Sequence, residues 1–124
     1  MESVSIQATA KTPSIDFNPD QGMLEIRGRS NPEDSRVFYK PLIAWCEEYA
    51  HNPQEKTVVD VHLEHFDTSS SKGLLDIIKR LKTIKELHKD VEVIWHYDSD
   101  DEDILEAGEN FEHITGITFQ MKPH

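Results

Sequence analysis

From Thr57 to Phe66 apolar and polar side chains alternate, with Val59, Val61 and Leu63 on one face and Asp60, His62 and Glu64 on the other. That two-residue period is the signature of a half-buried strand. Just downstream the period changes. Leu74, Leu75, Ile78, Leu81, Ile84 and Leu87 recur at three- and four-residue steps, while Lys79, Arg80, Lys82 and Lys85 fill much of the remaining circumference, which predicts one long amphipathic helix. Val91, Val93, Trp95 and Tyr97 then alternate with Glu92, Ile94 and His96 as a further strand. A short helix is expected over Asp101 to Glu109 and a last edge strand over Ile117 to Met121.

The first third reads as short strands: one around Ser5 to Ala8, one carrying Ile15 and Phe17, and one carrying Leu24 and Ile26. Between the last two, Asn18-Pro-Asp-Gln-Gly22 supplies the Pro and Gly of a hairpin connection, so the opening is antiparallel. Asn31, followed by Pro32, Glu33 and Asp34, reads as a helix start, because Pro suits the first turn and acidic residues complement the helix dipole. From Val37 to Tyr49, the residues Phe38, Leu42, Trp45 and Tyr49 share one helix face. Pro41 interrupts it, so either Pro32 to Asp34 forms a separate turn or the helix is kinked near Val37. Asn52-Pro53 ends it. Strand, helix, strand, helix, strand in this order predicts parallel central strands joined by right-handed crossovers. The expected fold is α/β: one domain with a mixed sheet of about five to six strands and three to four helices. In such sheets partners meet the loops beyond the carboxyl ends of the strands. That edge carries Asp67 and Thr68, the loop after Tyr97, and a turn over Gly28, Arg29, Ser30 and Asn31, which with Thr68 are the candidate partner contacts.

The junction Phe66-Asp-Thr-Ser-Ser-Ser-Lys72 sets four consecutive hydroxyls, Thr68, Ser69, Ser70 and Ser71, where the strand hands over to the helix. One reading is an ordinary N-cap, since the first N–H groups of a helix lack partners and Asp, Ser or Thr supplies an acceptor. The other is a modification site. Four hydroxyls exceed what one cap uses, and phosphorylation would add about −1.5 to −2 charges at a place whose dipole suits an anion.

A chain of 124 residues is the size of one domain. Its formal net charge of −11 disfavours nonspecific attraction to nucleic acid or to an anionic membrane surface, and favours a basic or neutral protein partner. No apolar run approaches the roughly 20 residues of a membrane span and no secretory signal pattern opens the chain, which predicts a cytoplasmic protein with no direct membrane insertion. The lone Cys46 lies on a helical pattern and is expected in the core. Asp98, Asp100, Glu102 and Glu109 fall at calcium-loop positions, but Asp103 stands where the loop requires Gly, so a solvated helix start accounts better for the acidic run. Seven histidines invite a metal; His62 and His96 would face each other on neighbouring strands, but no ligand spacing supports a zinc site, and none is expected. No nucleophile elbow, phosphate-cradling glycine loop or paired carboxylate is present, so neither catalysis nor a cofactor is expected.

Several segments together resemble one family: Ala8-Thr-Ala-Lys-Thr-Pro13, Gly28-Arg-Ser30 with Pro32-Glu33, Phe38-Tyr-Lys-Pro-Leu42, the Phe66 to Lys72 junction, and Asp100-Asp-Glu-Asp103 with Ala107-Gly-Glu109. Over nearly its whole length the chain resembles the SiaC family of bacterial regulatory phosphoproteins, which look like anti-sigma-factor antagonists of the STAS-like type. The resemblance implies a STAS-like domain over residues 1–124 in which the junction threonine, here Thr68, is phosphorylated by a dedicated serine/threonine protein kinase. A PP2C-type phosphatase would reverse the modification. The resemblance also implies that the unmodified protein binds and activates a diguanylate cyclase, setting cyclic-di-GMP output and biofilm formation, and releases it on phosphorylation. Asp67, Ser69, Ser70, Ser71 and Lys72 surround the implied acceptor. Members of the family often carry Asn where this chain has Asp67, so a negative charge stands beside the acceptor here. The alternative is a constitutive interaction module of the anti-sigma-factor-antagonist type, in which the hydroxyls only cap the helix.

Overall fold

Six strands form one sheet in the spatial order of the sequence in the computed structural model, which describes residues 1–124. β1 (Val4–Ile6), β2 (Ser14–Asn18) and β3 (Met23–Ser30) pair antiparallel. β3, β4 (Lys56–Phe66), β5 (Asp90–Tyr97) and β6 (Thr118–Pro123) pair parallel. The crossovers carry α1 (Ser35–Tyr49), α2 (Thr68–Lys82) with a 3-10 turn (Thr83–Leu87), and α3 (Glu102–Thr115). Because each parallel strand is laid beside the last in the same direction, right-handed crossovers put all three helices on one face. Val59, Val61, Leu63, Val91, Val93 and Trp95 are buried beneath them, while Asp60, His62, Glu92, Ile94 and His96 alternate onto the uncovered face. The 24 buried hydrophobic residues form one contiguous core.

Several expectations are corrected. Asn31 does not start α1; Asp34 does, its carboxylate accepting from the N–H groups of Arg36 and Val37 at 3.1 and 3.3 Å. Asn31 is instead held as a continuation of the sheet edge, its N–H donating to Lys11 O at 2.7 Å. Pro32 to Asp34 is thus a separate bend, and Pro41 sits within the helix. The buried stripe of α1 is Tyr39, Leu42, Cys46 and Tyr49, with Phe38 and Trp45 at its flanks. The predicted Gly28 to Asn31 turn is mostly strand: Gly28 to Ser30 belong to β3, and the register to β4 slips between Gly28 and Arg29. Gly28 adopts φ 116° at that bulge, a conformation only glycine takes without strain.

The long second helix tightens after Lys82 into the 3-10 turn, where Ile84 stays buried as expected but Leu87 is turned out and exposed; within the helix itself Ile77, absent from the expected stripe, is buried as well. α3 runs past the expected Glu109 to Thr115 and burying Phe111, until Gly116 closes it in the left-handed region at φ 71°.

Candidate functional site

At the carboxyl edge of the sheet, Ser30 ends β3 beside Phe66, which ends β4. The Asp67 N–H donates to Ser30 O at 3.0 Å, so the chain leaves β4 still tied to its neighbour. Asp67 remains extended, with φ −82° and ψ 174°, and its carboxylate accepts from the Ser70 N–H at 2.7 Å while its carbonyl accepts from the Ser71 N–H at 3.0 Å. Asp67 is therefore the N-cap of α2, and the Thr68 hydroxyl takes no part in capping.

One turn of helix sorts the four hydroxyls. Thr68 and Ser69 are exposed, Ser71 is half-buried, and Ser70 is fully buried. The Ser30 hydroxyl donates to Ser70 Oγ at 2.7 Å, and Ser70 Oγ donates back to Ser30 O at 3.1 Å. With the Ser30 proton so used, the Tyr39 phenol, 2.6 Å away, donates to Ser30 Oγ. Burial first, and the nearby Asp67 charge, push the Tyr39 phenol above its usual 10.0, against the lowering effect of the two serines. It thus stays a neutral donor. Ser30, a candidate partner contact, and Ser70, a neighbour of the implied acceptor, are 0% exposed, so both hydroxyls are turned into this chain and away from the surface. Arg29 and Asn31 remain exposed on this edge, and Gly28 is half-buried.

The first turn of α2 contains no acidic residue, and the N–H groups of Thr68 and Ser69, at its first two positions, have no partners within the helix. The positive end of the dipole is balanced by Asp67 alone. Lys72 follows Thr68 by four residues and so stands on the same helix face. Beside it an open groove of about 650 Å³ runs between α1 and α2, lined among others by Arg36, Val37, Lys40, Ser69 and Lys72. Val37 is 69% exposed there. The helices approach closely because Gly73 faces Tyr39: a Cβ at that position would lie 2.5 Å from the phenol ring. Arg36, Val37 and Lys40 escaped the sequence reading, since a surface side chain on one helix gives no hint that it borders a different one.

At the next strand end, Asp101 caps α3 by accepting from the Ile104 N–H at 3.1 Å, and Glu102 and Asp103 occupy the first turn. The acidic run is thus a helix start, as its pattern suggested. Cys46 is fully buried, and burial pushes its thiol up, which makes it a core side chain. On the uncovered face His62 and His96 are direct cross-strand partners with rings 4.8 Å apart. His124, distant in sequence, stacks on His62 at the same 4.8 Å spacing. Burial first, then the charges of His96, His124 and Arg27, hold His62 below its usual 6.5, against an opposing pull from Asp60.

Similarity to known proteins converges on one group. The sequence model of the SiaC family of regulatory phosphoproteins matches residues 6–124. An uncharacterized protein of Pseudomonas aeruginosa strain UCBPP-PA14 is 30% identical over 124 residues, spanning 100% of this chain and 98% of its own. The solved structure of SiaC of Pseudomonas aeruginosa superimposes with a TM-score of 0.89 at 29% identity, over 100% of both chains. A chain in the crystal structure of the diguanylate cyclase SiaD in complex with its activator SiaC, from the same organism, superimposes with a TM-score of 0.89 at 30% identity, over 98% of this chain and 99% of that one. No helix is long and apolar enough to cross a membrane. Matched by the family model over residues 6–124 and sharing the mixed six-stranded sheet and three helices of solved SiaC, the chain belongs to the SiaC family of regulatory phosphoproteins.

Proposed function

We propose that this protein is a cytoplasmic, non-catalytic activator of a diguanylate cyclase, switched by phosphate on Thr68. Unmodified, it binds and activates the cyclase; a serine/threonine kinase esterifies Thr68 and releases the enzyme, and a PP2C-type phosphatase restores the binding form. The observation that carries the reading is that Thr68 is exposed at the first position of α2 while Asp67 alone does the capping. A kinase can therefore take the Thr68 hydroxyl without unmaking the helix start. The similarity to SiaC, crystallised with the cyclase SiaD that it activates, supports the choice of partner.

The docking face is the surface around that hydroxyl: Thr68 and Ser69, exposed Arg29 and Asn31 on the neighbouring strand end, and the groove with Val37 as its exposed apolar side chain. A phosphate there would bring about −1.5 to −2 charges into a desolvated contact, next to the Asp67 carboxylate. A loss of about 1.4 kcal/mol already lowers affinity tenfold. Lys72, one turn along, can pair with the phosphate in the free protein, which stabilises the released form.

The test is to phosphorylate the protein with its kinase and ATP, resolve the species by phosphate-affinity electrophoresis, and titrate each onto the cyclase. The phosphorylated species should bind at least about tenfold more weakly, and Thr68→Val should neither incorporate phosphate nor lose affinity. Equal affinity of the two species would sink the switch and leave a constitutive interaction module.

A further inference from the structure

Three neighbouring parts of the sheet each deliver one imidazole to the same spot on the uncovered face. His62 on β4 and His96 on β5 are paired in register. His124 follows β6, where its N–H donates to Tyr97 O and its carbonyl accepts from the Ser99 N–H, both at 2.9 Å. Those two bonds hold the His124 backbone beside the end of β5, so only its side chain is free to turn. One ligating nitrogen from each of the three rings lies within 4.8 Å of the others.

The contacts of His96 decide which nitrogen faces the cluster. Its Nε2 is shielded from water and lies 3.1 Å from Asp60 Oδ1, but off the line of a hydrogen bond, and it has no hydrogen-bond partner elsewhere. Arg27 approaches the same carboxylate oxygen at 3.4 Å. Asp60 and His96 side chains are each only 13% exposed, so the proton of His96 belongs on Nε2, toward the carboxylate. That leaves the Nδ1 lone pair pointing at His124 Nε2, 2.8 Å away. A carboxylate behind an imidazole whose other nitrogen is free is the arrangement that fixes tautomer and ring orientation in metal-binding histidines.

We infer that His62, His96 and His124 form a binding site for one divalent transition-metal ion of the zinc class, with Asp60 as the positioning residue behind His96. Three imidazoles suit zinc, cobalt, nickel or copper and do not suit magnesium or calcium, which prefer oxygen. With Zn–N near 2.0–2.1 Å, tetrahedral ligand nitrogens stand roughly 3.3 Å apart. The present separations bracket that figure, from 2.8 Å between His96 and His124 to a maximum of 4.8 Å. Closing the site requires the rings to turn out of their present stack, and exposed His124 is the freest to do so. With the His96 proton on Nε2, the His124 Nε2 proton lies toward His96 Nδ1; on binding, that proton shifts to Nδ1 of His124, which presents its Nε2 lone pair to the metal. Three protein ligands leave the fourth position to water or to a partner's side chain. The chain's net charge of −11 favours cation capture. The expectation of no metal rested on spacing along the chain, and these ligands are spaced by strand pairing.

The experiment uses the untagged full chain, stripped with EDTA and titrated calorimetrically with zinc chloride, with cobalt chloride absorption as the second readout. One ion per chain should bind, and cobalt should give the visible bands of a tetrahedral nitrogen site. His96→Gln, His124→Gln and the triple His→Gln variant should abolish both signals. Asp60→Asn should weaken zinc binding about 10- to 100-fold with an unchanged unfolding midpoint in EDTA. His113→Gln, an exposed histidine on α3, should change nothing. Absence of saturable zinc binding, its retention in the triple variant, or an equal loss in His113→Gln would overturn the site.

Discussion

The two helices that follow β4 and β5 begin on the same plan and differ in one turn. Both are capped by an aspartate at the strand's carboxyl end: Asp67 accepts from Ser70 and Asp101 accepts from Ile104. Both carry a glycine seated on an aromatic ring, Gly73 against Tyr39 and Gly108 against Trp95. The first turns diverge. α3 sets Glu102 and Asp103 there, while α2 has no acidic residue and offers hydroxyls. At α3 the dipole is already met by carboxylates, and a further anion would be repelled; at α2 only Asp67 meets it, and a phosphate has donors to approach. If α2 carries the proposed phosphate, the contrast accounts for its being placed there and not at the similar start of α3.

The largest effects should come from the shared plan. A Cβ at Gly73 would lie 2.5 Å from the Tyr39 ring and one at Gly108 would lie 2.6 Å from the Trp95 ring. Gly73→Ala and Gly108→Ala should each cost about 1–3 kcal/mol in urea unfolding, and only Gly73→Ala should also weaken cyclase binding beyond its stability loss, because it spreads the groove beside Thr68. Two neutral variants would break the parallel. Next comes the feature that α2 alone possesses: Ser70→Ala strands the Ser30 hydroxyl proton in the interior and should lower stability by about 1–3 kcal/mol, with phosphate incorporation at Thr68 intact.

Asp67→Ala and Asp101→Ala should then cost similar amounts, about 0.5–2 kcal/mol each, measured by the same unfolding. Thr68→Ala should change stability by less than about 0.5 kcal/mol while phosphate incorporation disappears; a cap-sized loss would return Thr68 to a structural role. A background slope common to all these variants should come from the open face. The His62 pKa is lowered on folding from 6.5, so below that pH the unfolded chain binds the proton more readily, and stability should fall as pH drops through that window. In thermal melts with EDTA, His62→Gln should flatten that slope.

Much of this frame was legible along the chain. The alternation in β4 and β5 is strict because one face of the sheet is covered and the other is not, and the switch to a three- and four-residue period marks α2. Boundaries were less legible where two signals compete. Asn31-Pro32 looks like a helix start, but Asn31 is drawn into a backbone bond with Lys11, and the cap falls to Asp34. Gly116 is a plain stop signal for α3, yet the expected helix ended a turn and a half early, at Glu109. Phe38 and Trp45 were read on one α1 face with Leu42 and Tyr49, yet Tyr39 and Cys46 join those two in the buried stripe, where Gly73 admits the Tyr39 ring, and Phe38 and Trp45 are only partly buried.

By itself the sequence determined the order of elements, the polarity of each face and the location of a hydroxyl run at a strand-to-helix junction, because periodicity and turn chemistry are local. Only the tertiary structure decided that Ser70 turns inward to Ser30 and Tyr39 while Thr68 stays outside, and that His124 joins His62 and His96. Those outcomes depend on partners brought together from separate elements, 9 residues apart for Ser30 and Tyr39 and 40 for Ser30 and Ser70, which meet through strand pairing and helix packing, and no spacing along the chain encodes such meetings.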